Sequence, residues 1–219
     1  GGGRAAGGGR GTEWILDPAE VLPSLLSALA SLRAPPASVL ELGCGDSALA
    51  EELRAALGGG ASVTGIDVSD AALARARARA AANGSPPGLR FLRADATDLR
   101  GLFADGAVDL VVDKGMSDTL QFRARTKESQ ALRAQFFGEV FRVLAPGGLY
   151  VIITPKARVR YLRTRGWERI RREAIAPPGG RRALLVGAPP DTPVYIHACH
   201  KPAGGQAAAA AAEDLDEAC

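Results

Sequence analysis

The sequence predicts an α/β fold: a doubly wound, mostly parallel sheet of seven strands, helices on both faces and an antiparallel C-terminal hairpin. Three observations predict it. Short apolar runs alternate with helical patterns from Leu16 to Leu144, four of those runs end on an acid, and the last two strand-like runs lack a helical crossover between them. In order, Leu16–Leu32 sets Val21, Leu22, Leu25, Leu26, Leu29 and Leu32 near helical spacing until "APPA" stops it. "SVLELG" reads as a buried strand, and Asp46–Leu57 as a helix ended by three glycines. "SVTGIDV" is a second strand, and Ser69–Asn83 an alanine–arginine helix closed by "NGSPPG". "LRFLRAD" and "VDLVVD" are the third and fourth strands. Thr126–Leu144 carries Leu132, Phe136, Val140 and Leu144 on one helical face and ends at "APGG". "GLYVIIT" is the fifth strand. A short helix is expected near Lys156–Thr164, then "WERIRREAI" and "PVYIHACH" as two strands joined by the turn-rich "APPGGRRALLVGAPPDT".

Composition bounds the rest. Residues 13–202 form the expected domain, flanked by a Gly/Arg-rich tail over 1–12 and an Ala-rich acidic tail over 203–219, both expected to be disordered. The last seven residues carry four acids, so residues 1–212 stand at +7 against +3 for the whole chain. Ten basic residues fall between Lys156 and Arg182, against Glu168 and Glu173. Such a face suits either solvent or an acidic partner. No apolar run reaches the ~18 residues of a membrane span. Cys44, Cys199 and Cys219 are far apart, with no CxxC spacing, and there are two histidines, so no metal site or disulfide framework is expected. A cytoplasmic home is the expectation. An organellar one stays open, because the chain does not begin with Met.

In doubly wound sheets, ligands sit beyond the carboxyl ends of the strands. Here the ends are polar: Glu41 with Gly43 and Gly45 after the first strand, Asp67 after the second, Asp95 after the third, Asp113 after the fourth. Two nucleoside cofactors begin this way. A nicotinamide dinucleotide would use "GCGDSA" as G-x-G-x-x-G/A, with Asp67 about twenty residues further on. Against it, Glu41 precedes the glycines, Asp95 has no work there, and a pocket lined by acids suits a pyrophosphate poorly. S-adenosylmethionine, cationic at sulfur, gives each strand end a task. The turn of Gly43, Cys44 and Gly45 brings backbone to the nucleoside, and the following helix N-terminus favours the ligand carboxylate. Glu41 would hold the ammonium, and Asp67, with Val68 beside it, the ribose hydroxyls. Asp95 would take the adenine amine and the Ala96 amide a ring nitrogen. Asp113 would lie near the departing methyl. The plainer alternatives are a helix cap for Asp67, a task Ser69 fills better, and an Asx turn for Asp95.

"VLELGCGDSALAEEL", "GIDVSDAAL", "FLRADATDL", "VDLVVDKGMSDTL" and "VFRVLAPGGLYVI" follow one another as in the class I, seven-stranded, Rossmann-like S-adenosylmethionine-dependent methyltransferases, and the chain resembles them over roughly Glu13 to Pro202. "GCGDS" with the later "DKGMSD" resembles more narrowly the methyltransferase-like protein lysine methyltransferases, the type that acts on elongation factor 1-alpha and citrate synthase. That group's acidic–Trp pair matches Glu13–Trp14, and its Gly–Trp pair matches Gly166–Trp167. The resemblance implies a lysine side chain of a protein as acceptor, Trp14 as a cofactor contact, and Asp113 and Lys114 as catalytic candidates. It departs at Met116, where the group has Thr, at Thr119, where it has Ala, and in lacking the aromatic segment before Glu13. Nucleic acid is the less favoured partner, since "DKG" stands where base-methylating enzymes carry an Asn/Asp-Pro-Pro-aromatic turn. A small-molecule methyltransferase on the same fold, or a non-catalytic binding partner, stays open as the alternative.

Overall fold

Seven strands form one sheet in the order β3-β2-β1-β4-β5-β7-β6. The molecule is described from a computed structural model, which covers residues 15–121, 126–159, 162, 166–175 and 192–204. The strands are β1 (Ser38–Leu42), β2 (Ser62–Asp67), β3 (Leu89–Arg93), β4 (Val108–Lys114), β5 (Leu144–Thr154), β6 (Arg169–Ile175) and β7 (Val194–His200). All pairings among β1 to β5 are parallel. β7 runs antiparallel to both β5 and β6, so it alone is reversed. The expected antiparallel pair is therefore present, with its second strand lodged inside the sheet and its first at the edge.

Helices cover both faces, which is why the central strands read as continuous apolar runs. One face packs α1 (Pro18–Leu29), α2 (Leu49–Leu57) and α3 (Asp70–Ala82), through Val21, Leu25, Leu49, Leu53 and Leu73, onto Val39, Val63, Val112, Val151 and Ile153. The other packs α4 (Met116–Gln121) and α5 (Lys127–Val143), through Leu120, Phe136, Phe137, Val140 and Val143, onto Leu40, Leu42, Val111, Tyr150 and Ile152. Successive strand residues thus alternate between the two cores.

Local chemistry sets the helix starts. Asp17 and Glu20 form a capping box at α1, with Pro18 in the first turn. Ser69 caps α3 through the Ala72 amide, and Thr126 caps α5 through the Ser129 amide. Asp46 does not start α2 as the sequence suggests; the helix begins at Leu49, because residues 46–48 stay in the turn that follows β1.

β5 starts earlier than "GLYVIIT". Val108 pairs with Leu144 and Leu110 with Leu149, so residues 145–148 bulge out between two ladder contacts. Gly148 is required there: a Cβ would stand 2.8 Å from the Ala145 carbonyl oxygen and 3.0 Å from that of Asp109. The helix expected near Lys156–Thr164 is absent over residues 156–159, which are irregular, and its remainder lies mostly outside the described residues. Also outside them are residues 1–14, with Trp14, residues 205–219, and much of the basic segment.

Candidate functional site

The turn after β1 is sewn to the end of β2. The Cys44 amide donates to the Ile66 carbonyl (2.9 Å), and the Gly45 amide donates to Asp67 Oδ2 (2.9 Å). The other oxygen of Asp67 accepts the Ser69 amide at 2.9 Å. Asp67 therefore braces the glycine turn while half-exposed, and each of its oxygens keeps acceptor capacity beyond these bonds. Gly43 and Gly45 sit at φ +59° and +55°, the left-handed region that suits glycine. A Cβ on Gly45 would meet nothing within 4 Å, so this backbone is open to a ligand.

Two arginines of α3 lock the same turn from outside. Arg79 donates to the Asp46 and Ser47 carbonyls and pairs with Glu51 at 2.7 Å; Arg75 pairs with Asp46 at 2.7 Å. In sequence this helix shows only alanine and arginine, and the sign of its role is the i, i+4 spacing that puts Arg75 and Arg79 on one face.

Glu41 is buried at 1% exposure, in register with Gly65 on one side and Val112 on the other. It lies beneath the turn, as a floor. Cys44 is likewise buried, and burial with Glu41 and Asp67 nearby pushes its thiol far above the usual range, so it is inert filler against Gly65. Val68 is apolar yet 59% exposed beside Asp67. At the end of β3, Asp95 is exposed and its Oδ1 accepts the amide and hydroxyl of Thr97 (2.8 and 2.7 Å), an Asx turn, while Ala96 is buried beneath. Ala48, at the N-cap of helix α2, offers no side-chain cap, and the Leu49 amide donates to the Ser47 hydroxyl at 3.3 Å. The N-terminal amides that follow suit a carboxylate.

Asp113 departs from the expectation. It is 0% exposed, its Oδ2 accepts the Tyr150 hydroxyl at 2.9 Å, and its Oδ1 accepts the Ser117 amide at 3.1 Å. Loss of hydration raises its carboxyl to about 6, partly offset by those hydrogen bonds. It braces the turn into α4 from within the protein. Tyr150 and Ser117 were missed because nothing in "GLYVIIT" distinguishes a tyrosine that packs from one that bonds. Lys114 Nζ lies 3.4 Å from the Leu16 carbonyl, tying the segment that enters α1 to β4. His197 is buried against the Lys156 carbonyl (2.9 Å), and His200 meets the Ser31 hydroxyl (2.9 Å).

The two loop systems meet. Met116 packs over Gly43, so closely that a Cβ there would stand 3.0 Å from both its Cβ and its Sδ. Glu41, Gly43, Cys44, Gly45, Asp67, Val68, Asp95 and Ala96 are thus gathered along the carboxyl ends of β1, β2 and β3. Trp14 lies outside the described residues. These residues fit a cationic nucleoside with a carboxylate: an open glycine cradle, a helix N-terminus beside it and an exposed apolar step between two acids. Among the described residues no group of three or more His, Cys, Asp or Glu is placed to hold a metal ion, and no helix is long and apolar enough to cross a membrane.

Comparison with known proteins agrees. Residues 35–174 match the family model described as a methyltransferase domain. A mitochondrial citrate synthase-lysine N-methyltransferase of Danio rerio is 31% identical over 150 residues, covering 65% of this chain and 58% of its own length. EEF1A lysine methyltransferase 4 of Bos taurus is 38% identical over 125 residues, covering 54% and 46%. A demethylmenaquinone methyltransferase of Thermus thermophilus is 40% identical over 125 residues, covering 56% and 49%. The chain thus spans about half the length of these relatives. In fold it is similar to the N-methyltransferase NodS of Bradyrhizobium japonicum, solved with S-adenosyl-L-homocysteine, at TM-score 0.60 and 17% identity, covering 84% of this chain and 87% of that one.

Proposed function

We propose, from the premise that this chain belongs to the S-adenosylmethionine-dependent methyltransferases, that it transfers the methyl group to a lysine side chain of a protein. The observation that carries the cofactor half is the row of Asp67, Val68 and Asp95 at neighbouring strand ends around a braced glycine turn. The lysine half rests on two relatives named for protein lysine methylation and on "GCGDS" and "DKGMSD", which the fold brings into contact through Met116 and Gly43.

S-adenosylmethionine supplies a methyl on a sulfonium, whose sulfur keeps the electron pair of the broken C–S bond while the acceptor nitrogen forms the new N–C bond and one proton is released. In this reading the residues of the chain do the positioning. Asp67, already holding two backbone amides, offers its remaining lone pairs to the ribose hydroxyls. Val68 gives the adenine an apolar surface, with Asp95 and the Ala96 amide at its edge. The N-terminus of α2 receives the carboxylate, and Glu41 balances positive charge from beneath. Asp113 keeps the turn into α4 in place, and Lys114 holds the segment ahead of α1. Trp14, one residue before the described segment, is proposed to cover the cofactor.

A lysine acceptor has an ordinary pKa of ~10.4 and must be neutral to react. Exclusion of water and a neighbouring positive charge both favour the neutral amine. Alignment alone supplies ~7–11 kcal/mol in favourable cases. No dedicated base is assigned.

The test is incubation with methyl-labelled S-adenosylmethionine and a cell extract, alongside purified elongation factor 1-alpha and citrate synthase, with Asp67→Ala as control. Label recovered as methyl-lysine and lost in the control supports the proposal. Label only in small molecules or RNA overturns the lysine half and leaves the cofactor half standing. One observation favours a second reading, a small-molecule acceptor: the 40% identity to a demethylmenaquinone methyltransferase exceeds that to the two lysine enzymes.

A further inference from the structure

The cofactor residues lie along β3, β2 and β1, up to the end of β4. On the other side of β4, the ends of β4, β5 and β7 carry a second polar group that this site does not use. Asp118 of α4 is 3% exposed. Its Oδ1 accepts the Thr154 hydroxyl at 3.0 Å and lies 2.9 Å from Lys156 Nζ. Its Oδ2 is equally buried and has no hydrogen-bond partner among the described residues. An enclosed carboxylate oxygen without a donor is costly, and a purely structural ion pair is readily replaced by apolar groups.

The construction around Lys156 is asymmetric. Its amide donates to Thr154 Oγ1 (3.2 Å) and its carbonyl meets His197 Nε2 (2.9 Å), so its backbone is pinned at both ends. Its side chain is 30% exposed while that of Asp118 is 4%. A flexible four-carbon stem therefore lies at the rim, with its ammonium set down on a buried acid. That acid stands at the same end of the sheet as the cofactor cradle: its helix follows β4, and Met116, earlier on the same helix, covers Gly43.

We propose that Asp118 is the seat for the ammonium of the incoming lysine, and that Lys156 fills that seat as a displaceable stand-in until the acceptor arrives. This rests on the lysine reading above. Exchanging one ammonium for another keeps the carboxylate charge-paired as the acceptor docks; the docked ammonium then gives its proton to water, and the neutral amine attacks the methyl carbon as the C–S bond breaks. A neutral or anionic intruder gains no such exchange, and the seat thereby selects for amines.

n-Butylamine, which carries the four carbons and the amine of a lysine side chain, is the probe. The parent, Lys156→Met, Lys156→Ala and Lys156→Ala with Asp118→Asn are compared in three measurements. These are S-adenosyl-L-homocysteine affinity by calorimetry, butylammonium binding by calorimetry, and labelled N-methylbutylamine formed from S-adenosylmethionine. The expected result is unchanged S-adenosyl-L-homocysteine affinity in all four. Butylammonium binding should be at least tenfold tighter in Lys156→Ala than in the parent and absent in the double variant. Methylated butylamine should rise roughly tenfold in both single variants and fall below the parent in the double one. A merely structural ion pair would lower stability in every variant and raise transfer in none, and that outcome overturns the proposal. Tighter binding without any rise in transfer overturns it as well, since the ammonium would then sit away from the methyl. If transfer to butylamine fails in every form while the parent still yields methyl-lysine in protein, the seat is wrong and the lysine reading stands; absence of methyl-lysine from all proteins removes the reading itself.

Discussion

Replacing Asp113 by Asn isolates the cost of a charge that the fold encloses. The carboxyl is 0% exposed, and burial raises it from an ordinary value of 3.8 to about 6. Between those values the folded protein binds more protons than the unfolded chain, so stability from this group is fully present below pH ~3.8 and is lost as pH rises through 6. A shift of about two units at 1.36 kcal/mol each amounts to roughly 3 kcal/mol. About half of that, roughly 1–2 kcal/mol, falls between pH 5 and pH 8. Asn keeps an oxygen for the Tyr150 hydroxyl and the Ser117 amide but cannot ionise. Its buried NH₂ brings a fixed penalty of about 1–3 kcal/mol that cancels when the same variant is compared at two pH values. Urea unfolding of both proteins at pH 5 and pH 8 should therefore show the parent losing roughly 1–2 kcal/mol more than Asp113→Asn over that interval. A parent–variant difference that stays constant within ~0.5 kcal/mol across those pH values would refute the enclosed, costly carboxylate.

Two further substitutions probe the glycine turn. Gly43→Ala forces a side chain into φ +59°, at about 1–2 kcal/mol, and pushes its Cβ against Met116; calorimetry should show S-adenosyl-L-homocysteine affinity falling tenfold or more. Arg79→Ala releases the Asp46 and Ser47 carbonyls and leaves Glu51 unmatched, so a stability loss of about 1–3 kcal/mol should accompany weaker cofactor binding, whereas Arg79→Lys restores charge without the fork and should recover only part of each.

Much of this molecule is legible in its sequence, and the reasons are specific. Both cores are built from strands covered on two faces, so β1, β4, β5 and β7 appear as mostly apolar runs that no helical period explains. The strand-end acids stand out because an acid closing such an apolar run is conspicuous, whether it braces a turn, as Asp113 does, or borders an open one, as Asp67 does. What stayed hidden depends on tertiary direction. Asp67 and Asp113 look alike in sequence, yet one ends beside an open turn and the other beneath Tyr150, a strand away. Asp118 and Lys156 are 38 residues apart and meet only because β4 and β5 are neighbours. Arg79 reads as a solvated residue until α3 is laid against the turn after β1. The bulge at residues 145–148 escaped because glycine and proline there read as a stop, whereas the ladder resumes past them.

The position of β7 between β5 and β6 has a consequence for assembly. β6 emerges from synthesis before its only neighbour exists, and the outer edge of β5 waits unpaired for the same strand. The first five strands can pair among themselves as they appear, and with them the cofactor cradle. The half holding Thr154, Lys156 and His197 closes only when Val194–His200 threads into its slot, a long-range pairing that is slow by nature. Until then β5 offers a bare ladder edge to any other chain. A truncated or stalled product lacking β7 would thus bind nucleoside while aggregating through β5, and its binding would say nothing about its competence to methylate.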